Sequence, residues 1–250
     1  MIKLILITGS SGDIGNSIVN SFLKSNYMVI GLDKKSPPLT QKVNFTHIDT
    51  DLYKFSEDNT YREEIIFKIK EKVPKKLSKF ILVNNAAVQV LKPIQQIKLE
   101  DWNQSLYTNT VSPFFLVQGF IDELSSASGH VINISSIHTK LTKANFTCYS
   151  ASKAALESIT RSLAIELSQT GISVNAIAPA AILTKMLKEG LNNDDSKISE
   201  LEQFHPSKSI GTPEGVALLV KSLTDQDNKF LTGSVIEYNG GINNVLHDPD

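Results

Sequence analysis

The sequence predicts an α/β protein built on one open parallel sheet with helices on both faces. Seven short apolar runs recur along the 250 residues, at 3–8, 28–33, 44–49, 80–84, 130–135, 173–178 and 234–238. Between them lie longer amphipathic stretches, at 14–24, 61–73, 101–124, 149–168 and 213–223. Short runs that are apolar throughout suit strands covered on both faces, and intervening helices supply the cover. A third observation concerns polar residues: Gly9, Asp33, Asn84-Asn85, Ser136 and Pro179 each close or follow one of these runs. In an open sheet the ligand crevice lies beyond the carboxyl ends of the strands.

Taken in order, the first strand runs into Thr8-Gly9-Ser10-Ser11-Gly12-Asp13-Ile14-Gly15 and then a helix, the context a dinucleotide-binding turn needs. Gly9 allows the tight turn, Gly12 and Gly15 let backbone approach a pyrophosphate and helix approach strand, and the helix N-terminus favours an anion. The second strand ends at Asp33, eighteen residues beyond Gly15. A carboxylate there suits a ribose 2'-hydroxyl and repels a 2'-phosphate, which prefers NAD, while the adjoining Lys34 and Lys35 keep NADP open. The Lys-rich piece 68–79, which includes Glu71, reads as a solvated helix end. Residues 101–124 read as one long helix on which Trp102 and Phe114-Phe115 pack.

Tyr149-Ser150-Ala151-Ser152-Lys153 opens the next helix and stacks a phenol and an ammonium on one face. A phenol titrates near ~10, so proton exchange near neutrality needs about 3–4 kcal/mol of help. One ammonium at ~4 Å, at an effective dielectric of about 20, supplies that order of energy. The sequence therefore predicts a Tyr acid/base whose proton affinity Lys153 lowers. Residues 185–210 break the strand–helix rhythm at the ligand edge and read as a substrate lid in preference to a disordered insert. Its Asn192-Asn193-Asp194-Asp195 is a polar turn that leans toward a hydroxylated substrate such as a sugar or polyol. Cys148 reads as a packed thiol, His138 as a loop residue near the substrate with a structural hydrogen bond, and Gly240-Gly241 as a turn after the last strand.

Whole-chain properties narrow the function. Lys+Arg 25 against Asp+Glu 26 leaves a net charge of -1 and no basic field for nucleic acid or anionic membrane. With 41% hydrophobic residues and no linker, repeat or membrane-length run, the expectation is a single soluble domain over 1–250 with no membrane segment. The single cysteine excludes an intrachain disulfide and a Cys-based zinc cluster, and fits a reducing cytoplasm. The five His are scattered, with no metal-ligand spacing.

Taken together, the ordered motifs resemble the short-chain dehydrogenase/reductase family, over residues 4–241: the Thr8-Gly9 loop, Asp33, Asp49, Asn84-Asn85-Ala86, Asn109, Ser136, Tyr149 with Lys153, and Asn175-Ala176-Ile177-Ala178-Pro179. The resemblance implies a Rossmann-type doubly wound sheet of seven strands. It also implies a homotetramer or homodimer assembled through the helices that carry Asn109 and Tyr149. By the same resemblance the cofactor site runs through Gly9, Ser11, Gly12, Asp13, Ile14, Gly15, Asp33, Asp49, Asn85, Ala86, Tyr149, Lys153, Pro179, Ile182 and Thr184. Asp49 would contact the adenine, Asn85 would steady the central strands, and Thr184 would orient the nicotinamide carboxamide. Ser136 would hold the substrate oxygen, Tyr149 would carry the proton, Lys153 would bind nicotinamide-ribose hydroxyls, and Asn109 would anchor a water in the proton relay.

The implied reaction is reversible hydride transfer between NAD(P) and a small molecule bearing a secondary alcohol or carbonyl. This chain departs from the single-domain branch in its glycines. Gly12 comes one place early and Asp13 stands where the second glycine usually does, a spacing that resembles the extended branch of epimerases and dehydratases. About 70 residues remain after Pro179, which argues against the substrate domain of that branch. Ala87 and Ala180 also replace usual glycines. An extended-type epimerase or dehydratase, and a non-catalytic nucleotide sensor, are the alternative functions.

Overall fold

A computed structural model describes residues 2–35, 43–225 and 229–246. The expected single unit of 1–250 therefore has its extreme ends outside the described residues. Seven parallel strands form one sheet: β1 (Ile2–Thr8), β2 (Met28–Asp33), β3 (Phe45–Asp49), β4 (Leu77–Asn84), β5 (His130–Ile134), β6 (Ser173–Pro179) and β7 (Val235–Tyr238). Their spatial order is β3-β2-β1-β4-β5-β6-β7. The order reverses between β1 and β4, which makes the gap beyond their carboxyl ends the switch-point crevice.

The helices are α1 (Asp13–Leu23), α2 (Leu52–Glu57), α3 (Asn59–Lys70), α4 (Leu99–Leu106), α5 (Ser112–Gly119), α6 (Ile121–Ser126), α7 (Thr147–Glu166), α8 (Lys185–Gly190), α9 (Asp195–Phe204) and α10 (Pro213–Asp225). Alternate strand residues point to opposite faces. Ile5, Ile7, Ile81, Val83, Ile132 and Ile134 pack with α1 and α10 through Ile18, Phe22, Val216 and Val220. Leu4, Leu6, Phe80, Leu82, Val131 and Val174 pack on the other face with α3, α5 and α7 through Ile65, Ile69, Leu116 and Leu163.

One polar row interrupts that second face. Asn84 and Asn133 lie opposite each other in register. Asn84 Nδ2 donates to Asn133 Oδ1 at 2.8 Å, and Asn133 Nδ2 donates to Thr160 Oγ1 on α7 at 2.8 Å.

Two expectations need correction. The 101–124 stretch is not one helix: α4 passes through a π-turn at Tyr107–Val111 into α5, and Phe120 separates α5 from α6. Pro113 lacks the N–H that an α-helix would deliver to the Asn109 carbonyl, so the regular ladder cannot continue there. The 68–79 piece is not all solvated helix end. β4 begins at Leu77, and Lys79 is buried with its Nζ donating to the Thr224 carbonyl at 2.5 Å and the Asp225 carbonyl at 3.2 Å, at the end of α10. Residues 185–210, the stretch that breaks the rhythm, hold two helices, α8 and α9.

Candidate active site

The glycine loop is fixed by the strand on the far side of the switch point. Thr8 Oγ1 accepts the backbone N–H groups of Asn85 and Ala86, each at 3.0 Å. Asn85 Nδ2 donates in return to the Thr8 carbonyl at 3.0 Å and the Gly9 carbonyl at 3.2 Å. Gly9 has φ +66, and a Cβ there would meet Ala86 Cα at 2.8 Å. A Cβ on Gly15 would collide with the Gly9 carbonyl, so α1 approaches the loop only because residue 15 has no side chain.

These features fit a pyrophosphate. Gly12 caps α1 with no side-chain hydrogen bond, which leaves the first-turn amides pointing outward for an anion. Asp13, whose charge would oppose an anion, is turned away: its Oδ2 accepts the backbone N–H of Lys185 at 2.5 Å, the first residue of α8. Asp33 closes β2 with its carboxylate accepting the N–H of Ser11 at 3.0 Å and of Lys35 at 2.9 Å. Asp49 is exposed beside it, in register with Asp33 across β2 and β3. Lys34 is committed to an ion pair with Asp51 at 2.9 Å.

The chemistry-bearing side chains gather at the end of β5 and the start of α7. Tyr149 is 8% exposed and Ser136 is 6% exposed. Burial pushes the Tyr149 phenol up from its ordinary value, and a hydrogen bond from Ser136 draws it part of the way back. Ser136 is oriented in turn by the His138 N–H, which donates to its Oγ at 3.2 Å. The His138 ring stacks on Phe146 at 4.1 Å between centroids and meets the Tyr149 ring edge-on at 5.8 Å. Burial, with Lys143 adding repulsion, pulls His138 down to about 4 and keeps it neutral. Its Nδ1 lies 3.2 Å from Thr142 Oγ1, so the structural hydrogen bond expected of it is present.

Lys153 lies on the Tyr149 face of α7, as the spacing predicts. Its Nζ lies 5.9 Å from the Tyr149 ring centroid and donates to the Ile134 carbonyl at 2.7 Å. Burial brings Lys153 itself down to about 7, with 2% of it exposed. Burial outweighs the lowering expected from this ammonium, and the phenol stays above its ordinary value.

Asn109 is fully buried in the π-turn, its Oδ1 accepting the Val88 N–H at 2.8 Å and its Nδ2 donating to the Val88 carbonyl and to Ser152 Oγ, each at 2.9 Å. The side chain therefore binds protein, not a relay water. Pro179 ends β6 beside Tyr238. Ile182 is buried in the core with Val216 and bridges Gly211 through its backbone. Thr184 caps α8, accepting the Leu187 N–H at 3.2 Å. In the polar turn, Asn192 and Asn193 have φ 56 and 55, and Asp194 Oδ1 accepts the Ser196 N–H at 3.0 Å to start α9. Cys148 is buried, and burial raises its thiol, as expected for a packed residue.

Sequence reasoning missed two members of this wall. Ser152 joins Asn109 to α7, and Glu157 accepts hydroxyl hydrogen bonds from Ser135 and Thr139. The spacing 149, 153, 157 is a continuous i, i+4 row that could have pointed to Glu157. Among the described residues no cluster of His, Cys, Asp and Glu could hold a metal, and no helix is long and apolar enough to cross a membrane.

The sequence profile of the short chain dehydrogenases matches residues 3–195. The chain belongs to that family. It is 31% identical to the protein FixR of Bradyrhizobium diazoefficiens, over 96% of this chain and 86% of FixR. It is 30% identical to the 3-oxoacyl-[acyl-carrier-protein] reductase FabG of Staphylococcus epidermidis, over 97% of this chain and 99% of FabG. Among solved structures, ElxO with NADP bound superposes with a TM-score of 0.83 at 28% identity, covering 97% of this chain and 99% of ElxO. Short-chain dehydrogenases of this kind are NAD(P)-dependent oxidoreductases, and the seven-stranded Rossmann-type sheet of this chain is theirs.

Proposed function

We propose that this oxidoreductase interconverts a secondary alcohol and a carbonyl on a small metabolite, with NAD preferred over NADP. The observation that carries the reading is the pair Ser136–Tyr149, two buried hydroxyl side chains, one just past the end of β5 and one in the first turn of α7, with Ser136 lowering the proton affinity of the phenol. A substrate oxygen that enters between them meets one donor and one proton carrier. A bound nicotinamide supplies the hydride donor or acceptor. In the oxidative direction Tyr149 takes the alcohol proton, and Ser136 donates to the oxygen as negative charge develops.

Lys153, held by the Ile134 carbonyl, turns remaining donors toward the ribose hydroxyls of the cofactor. Asn109 contributes through its backbone: Pro113 denies its carbonyl the usual helical donor, leaving that oxygen available to hold a relay water. Asp33 supports the NAD preference, since a 2'-phosphate would face a carboxylate. A homodimer or homotetramer through α4, α5 and α7 is consistent with exposed Leu99, Phe114 and Ile165 on those helices. A reducing cytoplasm suits the buried free thiol of Cys148.

The test is a turnover screen that follows the reduced-nicotinamide absorbance. The panel contains acetoacetyl-coenzyme A, as a 3-oxoacyl thioester of the chemistry FabG is named for, together with aldohexoses, xylitol and 2,3-butanedione, each with NAD(H) and NADP(H). Turnover of at least one pair that Ser136→Ala lowers by about 10²-fold supports the reading. Full turnover in Ser136→Ala removes it.

A further inference from the structure

The loop that presents Ser136 is held from below by a buried carboxylate. Glu157 is 6% exposed and lies one helical turn beyond Lys153 on α7. Its Oε1 accepts Ser135 Oγ at 2.8 Å and Thr139 Oγ1 at 2.9 Å. These two residues flank Ser136 in the chain. Thr139 also ties back to the Ser136 carbonyl through its N–H at 3.2 Å, and its one hydroxyl proton is shared between that carbonyl at 3.1 Å and Glu157. The loop is also anchored by the Ser135 N–H on the Ile177 carbonyl at 2.7 Å, by the His138 N–H on Ser136 Oγ, by the His138 ring on Phe146 and by the Lys140–Glu237 ion pair.

We infer that Glu157 is a positioning residue for the reaction: one carboxylate oxygen clamps both sides of the Ser136 turn to the same helix that carries Tyr149 and Lys153. Two hydrogen bonds accepted by one oxygen fix the turn's rotation as well as its distance. Because α7 also bears the phenol, the clamp sets the distance between Ser136 Oγ and Tyr149 within one rigid body. A shift of about 1 Å between such groups is enough to cost on the order of 10²-fold in rate. Both contacts fall on Oε1, so a glutamine can keep them and an alanine cannot.

This inference rests on the proposed roles of Ser136 and Tyr149, and the experiment separates the two. Amide hydrogen exchange is compared among the native protein, Glu157→Gln and Glu157→Ala. The expected result is at least tenfold faster exchange at 136–140 in Glu157→Ala, native-like exchange there in Glu157→Gln, and unchanged exchange in β1, β4 and α10. With the panel carbonyl turned over fastest, Glu157→Ala should lose at least tenfold in kcat with NAD affinity unchanged, and Glu157→Gln should stay within about threefold of native. Ser136→Ala combined with Glu157→Ala should be no slower than Ser136→Ala alone, since a displaced and an absent hydroxyl are equivalent. Unchanged exchange at 136–140 in Glu157→Ala, or losses that multiply in the double variant, would overturn the inference. Full turnover in Ser136→Ala removes the proposed function instead, and the exchange result then decides the clamp by itself.

Discussion

The two walls of the crevice are built on different principles. On the β5–α7 side, Ser136, Tyr149, Lys153, Asn109 and Glu157 are all buried, and protein groups hydrogen-bond the side chains of Ser136, Lys153, Asn109 and Glu157. On the opposite side, α8 is held by an exposed Asp13–Lys185 contact and by the Thr184 cap, and Leu183 and Met186 are exposed. Atoms that must meet within tenths of an ångström are fixed from the core, and atoms that must admit and release a ligand hang on contacts open to water. The contrast teaches where change should be costly: one substitution in the first wall should stop chemistry, and one in the second should retune binding.

The largest effect should come from the first wall. Tyr149→Phe should lower turnover by roughly 10³-fold or more, the scale of a lost general acid/base, while NAD binding stays within about twofold by fluorescence titration. A variant that kept a tenth of native activity would show that another group carries the proton. Asp33→Ala should follow, with NAD affinity falling about tenfold or more relative to NADP, as befits loss of a charged hydrogen-bond acceptor. An unchanged cofactor ratio in isothermal titration would remove the basis for preferring NAD.

Lys153 gives a pH test of the same wall. Its folded value is about 7 against 10.5 for the free group, so the unfolded chain binds more protons across that window. The native fold should therefore gain stability relative to Lys153→Met as pH rises from 7 toward 10.5. Urea unfolding of both proteins at pH 6, 8 and 10 measures the difference, and a gap that stays constant would mean the ammonium is not desolvated.

The smallest effect belongs to the second wall. Asp13→Gly should leave kcat near native, speed amide exchange at 185–190, and raise the substrate KM a few fold, since an exposed hydrogen bond is worth about 1 kcal/mol or less. A loss in kcat as large as that of Tyr149→Phe would erase the distinction between the walls.

Much of this was legible in the sequence. Strand positions could be read because the central runs are buried on both faces, and β1, β2 and β6 agree with the reading to within a residue at either end. The order of the site motifs could be read because strand ends share one edge of a parallel sheet. What could not be read was contact at a distance. The 101–124 stretch has helical periodicity throughout, and only Pro113, four residues after Asn109, announced the break. Lys79 looked solvated because nothing local shows that the end of α10 lies over it. Asp13 looked unwelcome in a phosphate loop because its partner, Lys185, is 172 residues away in the chain. The direction of the Tyr149 titration was misjudged for a related reason: spacing brings Lys153 to the same face, but burial and the Ile134 carbonyl decide where its charge goes.

The row Asn84–Asn133–Thr160 has a consequence for how the chain finds this fold. The middle of the sheet is assembled from strands so alike in their hydrocarbon content that β4 and β5 could slide past each other at little loss of greasy contact. A slip by one place would bring an amide against Ile or Val and strand its polar atoms in oil, at roughly 1–3 kcal/mol for each group left unmatched. The three side chains act as a notch and key: they make misalignment expensive at the one seam where an error would throw the two halves of the crevice out of step.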